Sequence, residues 1–232
     1  MRNGLPDRIR AVLFDVDGTL VDSNDAHAHA WVDALAESGR HVDFSRARPL
    51  VGMGSDKVLP ALAGIAADSA EGKQLVARRV EIFQERYLPH LHPTRGAQRM
   101  LEWLRDDGLQ LVVATSARPE ELKGLLRVAG ATRLIDDASS SADARRSKPD
   151  PDIVHAALLK ADCEPDEAIF IGDTPYDIAA GNHLRIAVIA LRCGGWWTDR
   201  SFEGAAAVYD DPDDLVEHYL LSPFKRPRAL SR

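Results

Sequence analysis

Two pairs of aspartates follow apolar runs of the sequence, and their spacing suits chemistry on an anionic substrate. Asp15 and Asp17 belong to the segment DVDGT, which follows the apolar run AVLF. Asp173 and Asp177 belong to GDTPYD, which follows the apolar run AIFI. Such runs are typical of buried strands in parallel sheets, and ligands of open α/β sheets bind where the strands end. We therefore expect the four carboxylates to meet in one crevice.

The first pair is suited to covalent catalysis. Two carboxylates one residue apart can share a cation, and one can attack an electrophile while the other transfers a proton. Gly18 gives the backbone freedom to turn and lets N–H groups face an anion. The structural alternative is an Asx turn that merely ends the strand. The position directly after a strand favours the catalytic interpretation.

The second pair has a structural interpretation of equal weight. Thr174 can cap a helix that begins at Pro175, and Asp177 can complement the dipole of that helix. Four carboxylates in one crevice, however, would repel each other unless a cation held them. Hard oxygen ligands without a neighbouring histidine or cysteine indicate Mg²⁺ rather than zinc.

Two further segments carry groups that suit an anion. Thr115 and Ser116 follow the apolar run LVVA, so their hydroxyls can bind phosphoryl oxygens, although helix capping explains them equally well. Lys148 precedes Pro149 just before a predicted helix. A lysine held by a proline-rich turn can present a fixed positive charge, whereas an ordinary surface lysine is solvated.

These residues are positioned by alternating strands and helices, which predict an α/β fold with a doubly wound parallel sheet. The predicted strands are residues 11–14, 109–114, 168–171 and 186–191. Helical spacing of apolar residues predicts helices over 96–107, 119–129 and 150–161.

One segment of about 70 residues breaks this alternation and has only helical patterns. We predict that residues 22–93 form a helical domain inserted into a core made of residues 1–21 and 94–232. The helical faces are marked by Ala28, Trp31, Val32 and Leu35, and by Val76, Val80, Phe83 and Tyr87. Within the insert, Gly52 would allow close backbone approach to a small ligand, or would simply turn the chain between two helices.

Composition excludes several classes of protein. The 232 residues are 45% hydrophobic and 28% charged, which excludes disorder, collagen and coiled coil as overall descriptions. No run approaches about 18 apolar residues, and the start MRNGLPDRIR lacks a signal-peptide layout, so we expect a cytoplasmic protein without a membrane segment. Two cysteines and a net charge of −7 disfavour a disulfide framework, a zinc site and nucleic-acid binding. The oligomeric state is not predicted, and a terminus from Pro223 onward is expected to be frayed.

Taken in order, the motifs resemble those of the haloacid dehalogenase-like superfamily, over about Arg10 to Tyr209. They are DVDGT, Thr115 after a strand, Lys148-Pro149 and GD-x-x-x-D. The resemblance implies a Rossmannoid core with an α-helical cap domain inserted after the first strand. It places the chain with the phosphoglycolate phosphatases and β-phosphoglucomutases.

The resemblance also implies roles for the aspartates. Asp15 would be the nucleophile that forms an aspartyl-phosphate, and Asp17 would protonate the leaving oxygen and then activate water. Mg²⁺ would bind the Asp15 carboxylate, the Asp17 carbonyl oxygen and Asp173, with Asp177 as a direct or water-mediated ligand.

The remaining implied roles concern phosphate binding. Thr115, together with Ser116, and Lys148 would hold the phosphoryl oxygens, and Lys148 would balance the acidic cluster. The family also commonly has a cis peptide bond at the position of Lys148-Pro149.

Details of the motifs separate the activities within the superfamily. Asp17 argues against dehalogenation, because a halide leaving group needs no proton. Lys57 resembles the cap lysine of phosphonatases, but with Asp17 present it is expected to lie on the surface of the cap or at the edge of the substrate. His27 and Trp31 fall where β-phosphoglucomutase has an acid-coupled histidine and a tryptophan, but simple phosphatases share them. Ser55 replaces the substrate-binding arginine of that mutase.

We therefore predict a Mg²⁺-dependent phosphatase acting on a small phosphorylated molecule, with Gly52 and His27 also contacting the substrate. A sugar phosphomutase is the alternative. A signalling domain that only accepts phosphate is the non-enzymatic alternative, but in receiver domains the phosphorylated aspartate follows the third strand, whereas Asp15 follows the first.

Overall fold

The computed structural model describes residues 9–224. Its centre is a parallel sheet in the order β3-β2-β1-β4-β5-β6. The strands are β1 (Ala11–Phe14), β2 (Gln110–Ala114), β3 (Asp137–Ser139), β4 (Ala168–Gly172), β5 (Ala187–Leu191) and β6 (Ala207–Tyr209). The predicted α/β class and parallel sheet are confirmed.

Strand β1 is buried on both faces, which explains its uninterrupted apolar sequence. Val12 and Phe14 belong to the hydrophobic cluster on one face of the sheet, whereas Ala11 and Leu13 belong to the cluster on the other. β1 pairs with β2 on one side and with β4 on the other, so the strand order changes direction at β1. The carboxyl end of β1 is therefore the topological switch point, where ligands of such sheets bind.

The sequence does not predict β3 and β6. Each has three residues and lies at an edge of the sheet. Asp137 in β3 is exposed, and the β6 residues are only partly buried. A short edge strand lacks the apolar run that marks a strand covered on both faces.

Two layers of helices cover the sheet. Side chains of α5 and α6 enter the cluster on one face, and side chains of α7 and α8 enter the cluster on the other. These helices are α5 (Ala97–Asp106), α6 (Pro119–Val128), α7 (Asp152–Ala161) and α8 (Pro175–His183), and a short α9 (Pro212–Glu217) follows β6. The three helices predicted for this part of the chain are confirmed as α5, α6 and α7.

Between β1 and α5 the chain is helical. The α-helices are α1 (Asn24–Glu37), α2 (Phe44–Ala47), α3 (Ser55–Ala63) and α4 (Ala70–Ile82), and short 3₁₀ and π turns extend to His90. They share a hydrophobic cluster that includes Trp31, Leu35, Leu59 and Leu75. The chain enters and leaves this segment side by side, because Asp22 N–H donates to the His92 carbonyl at 3.0 Å and Thr94 N–H donates to the Leu20 carbonyl at 3.1 Å. The segment 22–93 is called the insert below, and its assignment as a separate domain stays a prediction.

Within residues 9–224, no helix has both the length and the apolar character needed to cross a bilayer. The predicted frayed terminus falls outside the described residues from Lys225 onward.

Candidate active site

Three of the four aspartates come together at the carboxyl ends of two neighbouring strands. Asp15 follows β1, and Asp173 and Asp177 follow β4. One carboxylate oxygen of each lies within 4.8 Å of the others, and all three side chains are buried. The pairing of Phe14 with Ile171 explains this, because it brings the two strand ends to the same level. The side chain of Asp17, in contrast, points toward the insert.

Lys148 compensates part of this negative charge. Its Nζ lies 2.8 Å from Asp15 Oδ1 and 2.6 Å from Asp177 Oδ1, and the side chain is fully buried. Burial alone would lower the pKa of Lys148, but the charges of Asp15 and Asp177 raise it above its ordinary value. The peptide bond between Lys148 and Pro149 is cis, as the resemblance implies.

The carboxylates retain capacity for a cation. The pKa of Asp15 is raised to about 7, mainly because its side chain is buried; Lys148 opposes this shift, and the charges of Asp177 and Asp17 add to it. Burial also raises the pKa of Asp173 well above its ordinary value. Asp15 Oδ2 is buried and accepts no hydrogen bond within the described part of the chain. A buried, unpartnered oxygen in a group of hard carboxylate ligands fits a divalent cation such as Mg²⁺.

Asp177 is already engaged by the protein through both oxygens. Oδ1 contacts Lys148, and Oδ2 accepts hydrogen bonds from the backbone N–H and the hydroxyl of Thr174. The Thr174 hydroxyl in turn caps α8 by accepting from the Asp177 N–H. The helix cap at Thr174 that the structural interpretation predicts is therefore present, and a direct contact between Asp177 and a cation would have to displace one of these partners.

Two glycines make room for Asp173. Gly18 has a φ of +76°, and a Cβ at Gly18 or at Gly194 would overlap the Asp173 carboxylate. The sequence singles out Gly18 but not Gly194. It also does not single out Asn24, which donates to Asp173 Oδ2 at 2.8 Å. Asn24 is the first residue of α1, and Gly194 ends a short 3₁₀ turn after β5. Both lie outside the segment that contains Asp173, so no local motif marks them.

Thr115 and Ser116 line the same cavity as Asp15. Thr115 is buried, and its hydroxyl oxygen accepts from the Ala117 N–H at 3.0 Å. Ser116 donates its hydroxyl to the Gly52 carbonyl at 3.1 Å, across to the insert. Neither residue caps α6, whose N-cap position is Arg118. The capping alternative for this pair is therefore wrong.

A cavity lies between the sheet and the insert. Its wall includes Asp15, Asp17, Thr115, Ser116, His27, Trp31, Gly52, Ser55, Arg79 and Arg118. Lys57 is not on this wall, because its Nζ reaches across to Asp150 Oδ2 at 2.6 Å. Lys57 thus joins the insert to the rest of the protein outside the cavity.

Asp17 is held on the insert side of the cavity. Its Oδ1 accepts from the Ser23 hydroxyl at 2.5 Å and contacts His27 Nε2 at 2.6 Å. Burial alone would raise the pKa of Asp17, but the contacts with His27 and Ser23 hold it below its ordinary value. The ring of His27 stacks on Phe83 with centroids 4.0 Å apart.

The sequence does not predict the buried ion pair that lies behind His27. Arg79 Nη1 donates to Glu121 Oε1 at 2.5 Å, and Arg79 Nη2 contacts His27 Nδ1. A signal did exist, because Arg79 lies on the predicted apolar face between Val76 and Phe83. A charged residue on an apolar helix face requires a buried partner.

The whole of this site lies inside a recognisable family domain. A family model described as haloacid dehalogenase-like hydrolase matches residues 12–191, from β1 to the end of β5. The match includes the four aspartates, Thr115 and Lys148. The chain belongs to the haloacid dehalogenase-like hydrolases.

Individual relatives of this hydrolase are phosphatases. It is 30% identical over 215 residues to phosphoglycolate phosphatase from Rhodospirillum rubrum, covering 87% of each chain. It is 26% identical to pyrophosphatase PpaX from Bacillus velezensis, covering 90% of this chain and 93% of the relative. A solved structure of a hydrolase from Pseudomonas syringae has a TM-score of 0.84 at 28% identity, covering 90% of this chain and 97% of that one. The hydrolase is a phosphatase of this family.

We expect Mg²⁺ to stabilise the hydrolase more at about pH 8 than at about pH 5. An acid whose folded pKa is raised makes the folded state less stable as pH rises toward that pKa, and Asp15 and Asp173 are such acids. Mg²⁺ binds their deprotonated forms, so its effect grows as the protons leave. At about 100 times its Kd it should raise the unfolding midpoint Tm by roughly 5–10 °C.

The measurement is thermal unfolding in EDTA and in Mg²⁺ across this pH range. Asp173→Asn should abolish the shift, whereas Asp150→Asn, which changes a carboxylate outside the cluster, should retain it. An equal Mg²⁺ effect at both ends of the range would contradict the assignment.

Proposed function

We propose that this hydrolase removes phosphate from a small phosphomonoester through an aspartyl-phosphate on Asp15, with Mg²⁺ as cofactor. The observation that carries the proposal is the placement of Asp15. Its carboxylate lies on the wall of the cavity, its Oδ1 is held by Lys148, and its Oδ2 is left without a hydrogen bond in the described residues. A carboxylate held in this way can attack a phosphorus atom that enters the cavity.

Two steps then follow. An Asp15 oxygen forms a bond to phosphorus while the bond to the leaving oxygen breaks. The negative charge of the bound phosphate raises the pKa of Asp17, so that Asp17 takes up a proton when substrate binds and gives it to the leaving oxygen. In the second step Asp17 takes a proton from water, which attacks phosphorus and releases Asp15. Ser23 and His27 hold Oδ1 of Asp17, so Oδ2 is left to face the substrate.

Charge compensation is the main electrostatic requirement, because a carboxylate must approach a phosphate dianion. Asp15, Asp173 and the Asp17 carbonyl oxygen would hold Mg²⁺, with Asp177 through water, and the bound ion would supply positive charge beside the phosphoryl group. Lys148 supplies a second positive charge from a buried, fixed position. The Thr115 hydroxyl, which accepts from the Ala117 N–H, would donate its hydrogen to a phosphoryl oxygen, and the Ser116 hydroxyl would do so by giving up its bond to the Gly52 carbonyl.

We also propose that residues 22–93 act as a cap over a core of residues 1–21 and 94–232. The cavity wall combines residues of both parts, and Gly52 and His27 from the insert would contact the leaving group. A cavity walled by both parts suits a small phosphorylated molecule rather than a nucleic acid. A cytoplasmic location stays a prediction.

Ser55 favours hydrolysis over the mutase alternative. It lies on the cavity wall at the position where a β-phosphoglucomutase would place a substrate-binding arginine. The arginine that the cap does place on the cavity wall, Arg79, is already engaged by Glu121 and His27, so it is not free to hold the second phosphate of a sugar bisphosphate intermediate.

The test is a panel of phosphomonoesters, together with the phosphoanhydride pyrophosphate, assayed with Mg²⁺ for released phosphate. Phosphoglycolate and pyrophosphate come first, because relatives are named for them, followed by sugar phosphates. We expect release that EDTA abolishes, and no release from any compound would overturn the proposal. Phosphorus NMR with a β-hexose 1-phosphate provides the second arm, because isomerisation faster than hydrolysis would identify a mutase instead.

A further inference from the structure

Four buried side chains, beginning with Asp17, contact one another in series and connect the insert with the rest of the protein. Asp17 meets His27, His27 meets Arg79, and Arg79 meets Glu121. Each residue is less than 10% exposed. His27 and Arg79 come from α1 and α4, whereas Glu121 comes from α6. This series is therefore complete only when the insert lies against α6, as it does here.

The donors and acceptors in this series determine the state of the imidazole. A guanidinium has N–H donors and no acceptor, so His27 Nδ1 must accept from Arg79 Nη2. Of the two neutral tautomers, only the one with its hydrogen on Nε2 can make this contact. That hydrogen is donated to Asp17 Oδ1. Arg79 thereby selects the tautomer of His27 that binds the carboxylate.

The surroundings of Arg79 restrict its position. Its guanidinium carbon lies 5.5 Å from the centroid of the Trp31 ring and 5.3 Å from that of the Phe83 ring. Glu121 holds the Nη1 end. The Phe83 ring also stacks on His27, so Phe83 packs against both His27 and Arg79.

We propose that Arg79 and Glu121 are positioning residues for proton transfer at Asp17. Glu121 anchors Arg79, Arg79 sets the tautomer and ring orientation of His27, and His27 pins Oδ1 of Asp17. Oδ2, which accepts no hydrogen bond from the described residues, is thereby directed to the cavity and the reacting oxygen. The inference rests on the proposed function, because it concerns the acid and base of that reaction. It makes the contact between insert and α6 a requirement for turnover.

Kinetics of matched variants provide the first test, in the full-length enzyme with Mg²⁺ and its best panel substrate. Arg79→Met should lower kcat by about 10²-fold while KM stays within about threefold, because proton transfer is lost and substrate binding is retained. Arg79→Lys, which keeps a charge and a donor, should recover part of the loss, and Glu121→Gln should give an intermediate kcat. Lys57→Met is the control, because it breaks another contact between the insert and the rest of the protein without touching Asp17.

Nitrogen NMR of histidine-labelled protein provides the second test. The spectrum of wild-type His27, assigned by comparison with His27→Gln, should show the hydrogen on Nε2 and a bare Nδ1. This pattern should change in Arg79→Met and persist in Lys57→Met. A purely structural ion pair would lower stability without producing this signature or the selective loss of kcat.

Three results would overturn the inference. They are a kcat within about twofold of wild type in Arg79→Met, an equal loss in Lys57→Met, and a wild-type His27 with its hydrogen on Nδ1. If Arg79→Met fails to fold, Arg79→Lys and Glu121→Gln decide the kinetics. Absence of phosphatase activity in the wild type would instead refute the proposed function, and the NMR spectrum would still decide whether Arg79 selects the tautomer.

Discussion

Asp15→Asn should lower kcat by roughly 10⁴-fold or more while leaving the fold intact. An amide cannot form the bond to phosphorus that the carboxylate forms, and no other described carboxylate on the cavity wall has an unpartnered buried oxygen. Asparagine has almost the same shape, so it retains the packing at the end of β1. Phosphate release measures the loss, and circular dichroism checks the fold.

Asp17→Asn is the matched comparison, because it changes the other carboxylate of the same motif. With para-nitrophenyl phosphate, whose leaving group needs no proton, Asp17→Asn should still give a stoichiometric burst of nitrophenol and then stall before hydrolysis. Asp15→Asn should give no burst. A burst from Asp15→Asn, or steady turnover within about tenfold of wild type, would remove Asp15 from the role of nucleophile.

Lys148→Met should destabilise the protein by about 3–5 kcal/mol at about pH 8. The substitution leaves Asp15 and Asp177 buried and without their shared cation. The cost should shrink toward about pH 5, because Asp15 and Asp173, whose pKa burial raises, take up protons and no longer repel their neighbours. Phosphatase activity should be lost throughout. Urea unfolding at several pH values measures the effect.

Lys160→Met is the control for this prediction. Lys160 Nζ lies 3.0 Å from Asp143 Oδ1, but both side chains are about one-third exposed, so its loss should cost about 0–1 kcal/mol. Mg²⁺ should restore more stability to Lys148→Met than to wild type, since it supplies positive charge to the same carboxylates. Equal costs for the two lysine substitutions would show that Lys148 does not compensate the cluster.

The sequence predicts the central strands to within one residue of their bounds. Strands β1, β2, β4 and β5 are covered on both faces of the sheet, so their sequences are almost entirely apolar. The edge strands β3 and β6 are short and partly exposed, and their sequences carry no comparable pattern. A strand is therefore predicted correctly where both of its faces are buried, because its own sequence is then apolar throughout.

The residues of the candidate site likewise fall into those that local sequence predicts and those that it does not. The positions of Asp15, Asp173 and Thr115 follow from strand ends, because parallel strands place their carboxyl ends at one edge of the sheet. The partners of Lys148 and the role of Gly194 depend on loops that meet only after folding. The same holds for Arg79 and Glu121, which lie 42 positions apart in different parts of the chain.

The sequence by itself determines the fold class, the helical insert and the motifs that mark this family, because each depends on residues close together in the chain. Only the tertiary structure decides that Asp17 faces His27 rather than the other carboxylates, and that Lys148 is fully buried between two of them. The physical reason is that hydrogen bonds and ion pairs depend on distance and direction across packed elements. Those quantities exist only once the insert and the sheet have come together.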